Sequence, residues 1–382
     1  MDTEATYKRI VLKFGTSLLT GGSDCLNREM MADLVGQVAA VRALGAEIVI
    51  VSSGAVAAGR HALKSNAALK GVPLRQVLAA VGQARLMQIY EELFEKHDVI
   101  VAQALLTRED MTSRTGYLNA RNTLMSLMDT GIIGVVNEND VVAVDELEGL
   151  RFGDNDNLSA MVANLVDADL LVILSDIDGL YTADPRSNPE ARLIPIVHDI
   201  DAAVIGMAGN TAGKLGTGGM ATKIEAARLA TSCGITVAIA NGREKDIIVR
   251  LAQGALAGTR FVPSSSKLES RARWLLSGLS TRGKLILDNG AANALTEQNK
   301  SLLPSGIKSL EGTWERGDIV DLCTESGEKL GSGIANYAFS DVSRLKGRHS
   351  REIASLVNHA YGAEIVHRNN MAIIHRRING IG

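Results

Sequence analysis

The sequence predicts an α/β protein in which a mainly parallel sheet is sandwiched by helices and followed by a small C-terminal β-rich, barrel-like domain. Three observations lead there. Short, nearly continuous apolar runs alternate with stretches of helical spacing through the first 262 residues. Almost every polar or glycine-rich cluster follows directly on one of those runs. At Pro263-Ser264-Ser265-Ser266-Lys267 the alternation breaks, and shorter apolar segments divided by turns take over. The expected division is 1–262 for the α/β domain, 263–280 for a linker, 281–368 for the β-rich domain and 369–382 for a tail.

In chain order, Ile10–Leu12 is a strand ending at Lys13 and opening into the small-residue loop FGTSLLTGG. Asn27 is placed to cap a helix with apolar face Met30, Met31, Leu34, Val38 and Val41, closed by Gly45. Glu47–Val51 reads as a buried parallel strand running into Ser52-Ser53-Gly54. Leu74–Lys96 is helical by spacing. Val99–Leu106 and Ile132–Val136 are strands, the second ending in Asn137-Glu138-Asn139-Asp140. GDNDNLSAMVANLVDA is a helix for which Asp154 or Asn157 is the expected cap. The strand Leu170–Leu174 ends in Ser175-Asp176, and GTGGMATK at 216–223 is a glycine turn opening into a helix. Ile235–Ala240 is the last strand of this part.

Composition narrows the function classes. A net charge of −3 provides no global basic field for nucleic acid, although from Ser264 onward 16 Lys+Arg stand against 12 Asp+Glu. Arg344, Lys346, Arg348 and Arg351 form the one candidate basic patch, which leaves RNA binding by the C-terminal domain as an alternative reading. Cys25, Cys233 and Cys323 lie far apart without CxxC spacing, which suits free thiols in the cytoplasm. The start, MDTEATYKRIVLKFG, lacks a basic-then-apolar leader, and no apolar run reaches membrane-spanning length. The seven histidines show neither triad nor zinc spacing, and DNDNL lacks the glycine and distal glutamate of a calcium loop, so no protein-held metal is expected.

In a parallel α/β sheet, ligands gather outside the carboxyl ends of the strands. Lys13, Ser53, Asp140 and Asp176 therefore converge on one edge together with the glycine turn. Two lysines, Lys13 and Lys223, with N–H-rich loops at FGTS, SSGA and GTGG, make a seat for a polyanion on which charge moves. Phosphoryl transfer asks for little else. The turn does not match the Walker pattern, because Lys223 follows Ala221-Thr222 and precedes Ile224. Asp156 is expected to hold the two lysines in place and Asn155 to face a polar substrate, while Asp140, beside Asn137 and Asn139, suits a substrate ammonium.

KFGTS, VSSGAVAAGR, NEND, GDNDNLSA, DGLYTADPRSNP and GTGGMATK together resemble the amino acid kinase family, and SLLPSGI, WERGDIV and the run to GRHS resemble a PUA domain. Within the family the pattern is similar to members acting on the γ-carboxylate of L-glutamate at the entry to proline synthesis. The resemblance implies ATP as co-substrate with Mg2+, Lys13 and Lys223 on the transferring phosphoryl group, and Asp156 orienting them. It places glutamate at Ser53, Asp140 and Asn155, with Asn137 beside them. It places ATP at Lys13, Ser175, Asp176 and the run Thr217, Gly218, Gly219, Met220, Ala221, Thr222 and Lys223. Feedback inhibition by proline and a homo-oligomeric state, dimer or tetramer, follow as expectations. Members acting on acetylglutamate, aspartate or UMP are the alternatives inside the family. The chain departs from the family pattern with Ser175 in place of threonine, Gly134 in place of proline, and a longer connection from Val141 to Phe152.

Overall fold

The computed structural model describes residues 5–63, 72–143, 155–208, 219–263 and 281–374. The chain divides into two compact units, Met1–Thr112 with Asn119–Lys267, and Ser113–Leu118 with Leu268–Gly382.

The first unit runs β1 (Arg9–Phe14), α1 (Thr16–Thr20), α2 (Arg28–Ala43), β2 (Glu47–Ser52), α3 (Ala55–Leu63), α4 (Val72–Glu95), β3 (Val101–Leu106), α5 (Arg108–Thr112) and, from Asn119 on, α6 (Arg114–Asp129). It continues with β4 (Ile133–Glu138), α7 (Asn155–Leu165), β5 (Leu170–Ser175), β6 (Ile196–Val197), α8 (Ala202–Met207), α9 (Met220–Ser232), β7 (Thr236–Asn241), α10 (Ile247–Ala252) and β8 (Thr259–Phe261). The strands form an eight-stranded sheet in the order β3-β4-β2-β1-β5-β7-β8-β6. All of its pairings are parallel except β7 with β8. β1 lies between β2 and β5, so the chain first winds to one side of β1 and later to the other. That reversal opens a crevice at the carboxyl end of β1. The register puts Lys13 opposite Val51 on one side and Ile173 on the other, so the ends of three strands come level.

Alternation along β1 decides which residues enter which layer. Ile10, Leu12 and Phe14 join a core with Leu34, Val35 and Val38 of α2 and Tyr90 and Phe94 of α4. Lys13, on the opposite face, meets α7. The capping expectation for α2 holds, with the Asn27 side chain accepting the Met30 N–H at 3.0 Å.

Two local expectations change. β4 extends through Glu138, so Asn137 belongs to the strand and not to a turn after it. Asn155 and Asp156 are the first residues of α7 and Asn157 lies within its first turn, so Asn157 cannot cap that helix. Asp154, the other candidate cap, lies outside the described residues, as do Thr217 and Gly218.

The second unit comprises β9 (Thr281–Leu287), α11 (Asn289–Thr296), β10 (Ile307–Gly312), β11 (Ile319–Thr324), β12 (Lys329–Ile334), α12 (Phe339–Leu345), α13 (Ile353–Leu356) and β13 (Met371–Ile373). Its five strands are ordered β10-β9-β11-β12-β13, with β9 and β11 parallel and the other pairs antiparallel. Trp314 anchors the core: its indole N–H donates to the Tyr337 carbonyl at 3.1 Å, and Phe339 packs edge-on against its ring at 5.1 Å. Gly283 is required beside it, since a Cβ there would lie 2.4 Å from the indole. β13 falls in the segment expected to be a tail. Its Met371 and Ala372 are buried as the strand pairs with β12, and burying that apolar edge carries the sheet past residue 368.

Candidate active site

Lys13 and Lys223 are nearly inaccessible to solvent, at 2% and 3%, and Asp156 is wholly buried. The Asp156 carboxylate lies between the two ammonium groups. Lys13 Nζ is 2.5 Å from Oδ1, and Lys223 Nζ is 3.1 Å from Oδ2. Thr222 Oγ1 lies 2.9 Å from the same Oδ2 and 2.9 Å from the Gly219 carbonyl. Taking such charges out of water is costly, and removing one partner would leave the others uncompensated. Among the described residues the cluster sets two lysines on the oxygens of one carboxylate.

The lysines border an open cleft of about 350 Å³ at the carboxyl ends of β1, β2, β4 and β5. Ser53, Asn137, Asp140, Asn155, Ser175 and Asp176 line the same cleft, so the structure brings together predicted residues from separate strands, loops and a helix. Asp156 lies behind the lining, holding the lysines. Gly219 is exposed and is the N-cap residue of α9, with Met220, Ala221, Thr222 and Lys223 forming that helix's first turn. The positive end of that helix's dipole lies beside Lys223.

Two of the predicted N–H-rich loops also open into helices. Gly15 precedes α1, whose Thr16, Ser17 and Leu18 line the cleft. Gly54, at φ +101°, turns the chain from β2 into α3, whose Ala55, Val56 and Ala57 line it as well. Only glycine takes that conformation without strain. Behind this loop the Ser52 hydroxyl is 2.8 Å from the Tyr90 hydroxyl, and burial pushes the Tyr90 phenol up from its usual range.

At the far end of the cleft the polar groups form a chain. Asn155 Nδ2 is 2.6 Å from the Ser52 carbonyl, 3.2 Å from Ser53 Oγ and 2.8 Å from Asn137 Oδ1. Asn137 Nδ2 in turn donates to Gln83 Oε1 at 2.8 Å. Asp140 has a cation from its own chain nearby, Arg75 Nη2 at 3.9 Å. At the end of β5 the Ser175 hydroxyl donates to Asp176 Oδ1 at 3.1 Å.

The sequence reading missed Arg60, Arg75 and Glu138 in the lining and Gln83 behind it. Glu138 carried a signal, as part of NEND at a strand end. Arg60 closes the VSSGAVAAGR motif, whereas Arg75 and Gln83 lie on α4, where nothing local distinguishes them from a solvated face.

The site pairs a cationic floor and helix N-termini at one end with carboxylate and amide acceptors at the other. Such an arrangement can hold a polyphosphate against a small zwitterionic acceptor. Among the described residues no three His, Cys, Asp or Glu side chains gather to hold a metal ion, and no helix is long and apolar enough to cross a membrane.

The model of the amino acid kinase family matches residues 8–241, and that of the PUA domain matches residues 283–357. The chain is 56% identical over 371 residues to a glutamate 5-kinase of Dehalococcoides mccartyi (strain CBDB1), covering 97% of this chain and 100% of that protein. It is 50% identical to the glutamate 5-kinase of Herpetosiphon aurantiacus, over 96% of this chain and 98% of that one. For the glutamate 5-kinase of Deinococcus radiodurans the identity is 48%, over 96% and 100%.

Proposed function

The chain belongs to the amino acid kinase family, and from that premise we propose that it transfers the γ-phosphoryl group of ATP to the γ-carboxylate of L-glutamate, the committing step toward proline. A γ-carboxylate oxygen forms the new bond to the γ-phosphorus while the bond to the β,γ-bridging oxygen breaks, giving γ-glutamyl phosphate and ADP. The acceptor is already ionised at neutral pH, so no general base is needed. The residues' task is positioning and charge stabilisation.

The observation that carries this reading is the single buried carboxylate, Asp156, with Lys13 and Lys223 on its two oxygens. We assign the lysines to the transferring phosphoryl group, where charge spreads over equatorial and bridging oxygens. Asp156 positions them. Ser175, Asp176 and the turn Thr217–Lys223 are assigned to ATP; Ser53, Asn137, Asp140 and Asn155 to glutamate, with Asp140 taking its ammonium. Magnesium suits this donor set as an ion carried on the nucleotide: both Asp156 oxygens face ammonium groups, and the cleft carboxylate on the ATP side, Asp176, could join its phosphate and water ligands. When bound, the ion neutralises phosphate charge.

Proline is proposed as a competing ligand of the glutamate end, since it shares the α-carboxylate and ammonium. The three free thiols favour the cytoplasm as the place of work. Homo-oligomerisation stays an expectation of the family resemblance, and RNA binding through the PUA domain stays the alternative reading. The decisive test of the main reading is trapping with hydroxylamine in the presence of ATP and glutamate. Glutamyl hydroxamate should accumulate well above a Lys223→Ala control; equal yields from the two would reject it.

A further inference from the structure

We propose that Gln83, which does not line the cleft, is a positioning residue for substrate selectivity: it orients two amides in series so that Asn155 presents its carbonyl oxygen to the acceptor's ammonium. The inference rests on the reading of the site as a glutamate-phosphorylating one.

A side-chain amide has one accepting end and one donating end, so fixing one end fixes the other. Gln83 Oε1 accepts from Asn137 Nδ2 at 2.8 Å. Asn137 is 3% exposed, so its amide cannot exchange this partner for bulk water. Its Oδ1 is thereby turned away from Gln83, where it accepts from Asn155 Nδ2 at 2.8 Å and from the Glu138 N–H at 2.9 Å. Asn155 Nδ2 also faces the Ser52 carbonyl and Ser53 Oγ, so three acceptors surround its two hydrogens. The accepting end of Asn155 is what remains for the cleft that this residue lines. With the Asp140 carboxylate it makes a pair of acceptors, suited to an ammonium group and hostile to a carbonyl or carboxylate.

Gln83 is held rigidly enough to set this polarity. Gly82 lies so close to α3 that a Cβ there would be 1.7 Å from the Ala55 carbonyl oxygen, and one on Gly59 would be 1.9 Å from the Leu78 carbonyl oxygen. Two glycines thus press α4 against α3, the helix that follows the Ser53–Gly54 turn. The arrangement has a cost that marks its direction: among the described residues, Gln83 Nε2 is buried without a hydrogen-bond partner. A Gln83 retained only for packing would not need its carbonyl aimed at Asn137 while its NH2 group goes unsatisfied. Without an acceptor at position 83, Asn137 loses one of the bonds that fix its orientation and keeps the Glu138 N–H on its Oδ1. Asn155, still facing the Ser52 carbonyl, is then held less firmly with its accepting end toward the cleft.

The test compares L-glutamate with glutarate, which has the same acceptor carboxylate and no ammonium, in the wild type, Gln83→Met and Gln83→Glu. Methionine keeps length and helix propensity but cannot accept; glutamate keeps the accepting oxygen. In Gln83→Met the preference for L-glutamate over glutarate in kcat/KM should fall about tenfold, the worth of one orienting hydrogen bond. The fall should come through KM for glutamate, with KM for ATP unchanged, and Gln83→Glu should recover most of it. An unchanged preference in Gln83→Met, or equal losses on both acceptors, overturns the inference. Should the Met variant not fold, Gln83→Leu takes its place under the same criteria. A wild type that forms no glutamyl hydroxamate overturns the proposed function itself; an active wild type whose preference survives in Gln83→Met overturns only the role of Gln83.

Discussion

Lys13 Nζ, at the end of the first strand, lies 2.5 Å from Oδ1 of Asp156, at the start of a helix formed much later in the chain. The pair joins the central strand to the helix covering it, and through the other oxygen of Asp156 it joins both to Lys223. One buried carboxylate therefore sets the positions of two cations. Replacing Asp156 with alanine leaves both lysines buried without their shared counter-charge, so the folded state should lose about 3–5 kcal/mol. Urea denaturation of the variant beside the wild type measures this, and a loss under about 1 kcal/mol would show that the charges find other compensation.

Lys13→Ala should act on the chemical step. The ammonium is proposed to meet charge that develops on the phosphoryl group during transfer, so kcat should fall about 100- to 1000-fold while KM for glutamate moves far less. Steady-state ADP release distinguishes this from a binding defect, which would raise KM and leave kcat in place.

Asp140→Asn should act on the acceptor alone. Losing a charge-assisted bond to the ammonium is worth about 1.5–3 kcal/mol, so KM for glutamate should rise roughly 10- to 150-fold. KM for ATP should not change. Because Arg75 is 3.9 Å from Asp140, the same substitution also weakens that ion pair. Calorimetric titration with glutamate and an unreactive ATP analogue reports each ligand separately.

Gly82→Ala should disturb both stability and site. The new Cβ would meet the Ala55 carbonyl oxygen at 1.7 Å, so α3 and α4 must separate. Overpacking of this kind costs about 1–3 kcal/mol. The urea midpoint should drop, and glutamate affinity should drop with it as the Ser53–Gly54 turn shifts. An alanine variant as stable as the wild type would mean that the two helices are not rigidly packed.

Cys323 and Cys233 should be slow nucleophiles. Burial pushes both thiols above their ordinary range, so the reactive thiolate is scarce near neutral pH. Their alkylation by iodoacetamide, followed by peptide mass spectrometry, should therefore accelerate about tenfold per pH unit from pH 7 to 9. A rate that levels off by pH 8 would contradict the upward shift.

The sequence by itself determined the layered α/β architecture, the order of the main strands and most of the polar residues that line the cleft at their ends. Lys13, Ser53, Asp140, Ser175 and Asp176 were legible because a parallel sheet levels the carboxyl ends of its strands. A residue's place just after an apolar run is then enough to put it on the ligand edge. Spacing along the chain was less reliable at boundaries, where β4 absorbed Asn137 and α7 absorbed Asn157. Tertiary structure alone decided which helix faces back the site. Arg75 and Gln83 sit eight residues apart on α4, so they share a face, but their local pattern is that of any surface helix. Their role depends on the Gly59 and Gly82 approaches that seat α4 on α3. Local sequence specifies the period of a helix; which of its faces meets a distant strand end is fixed only when the cores close together, because that contact joins residues remote in the chain.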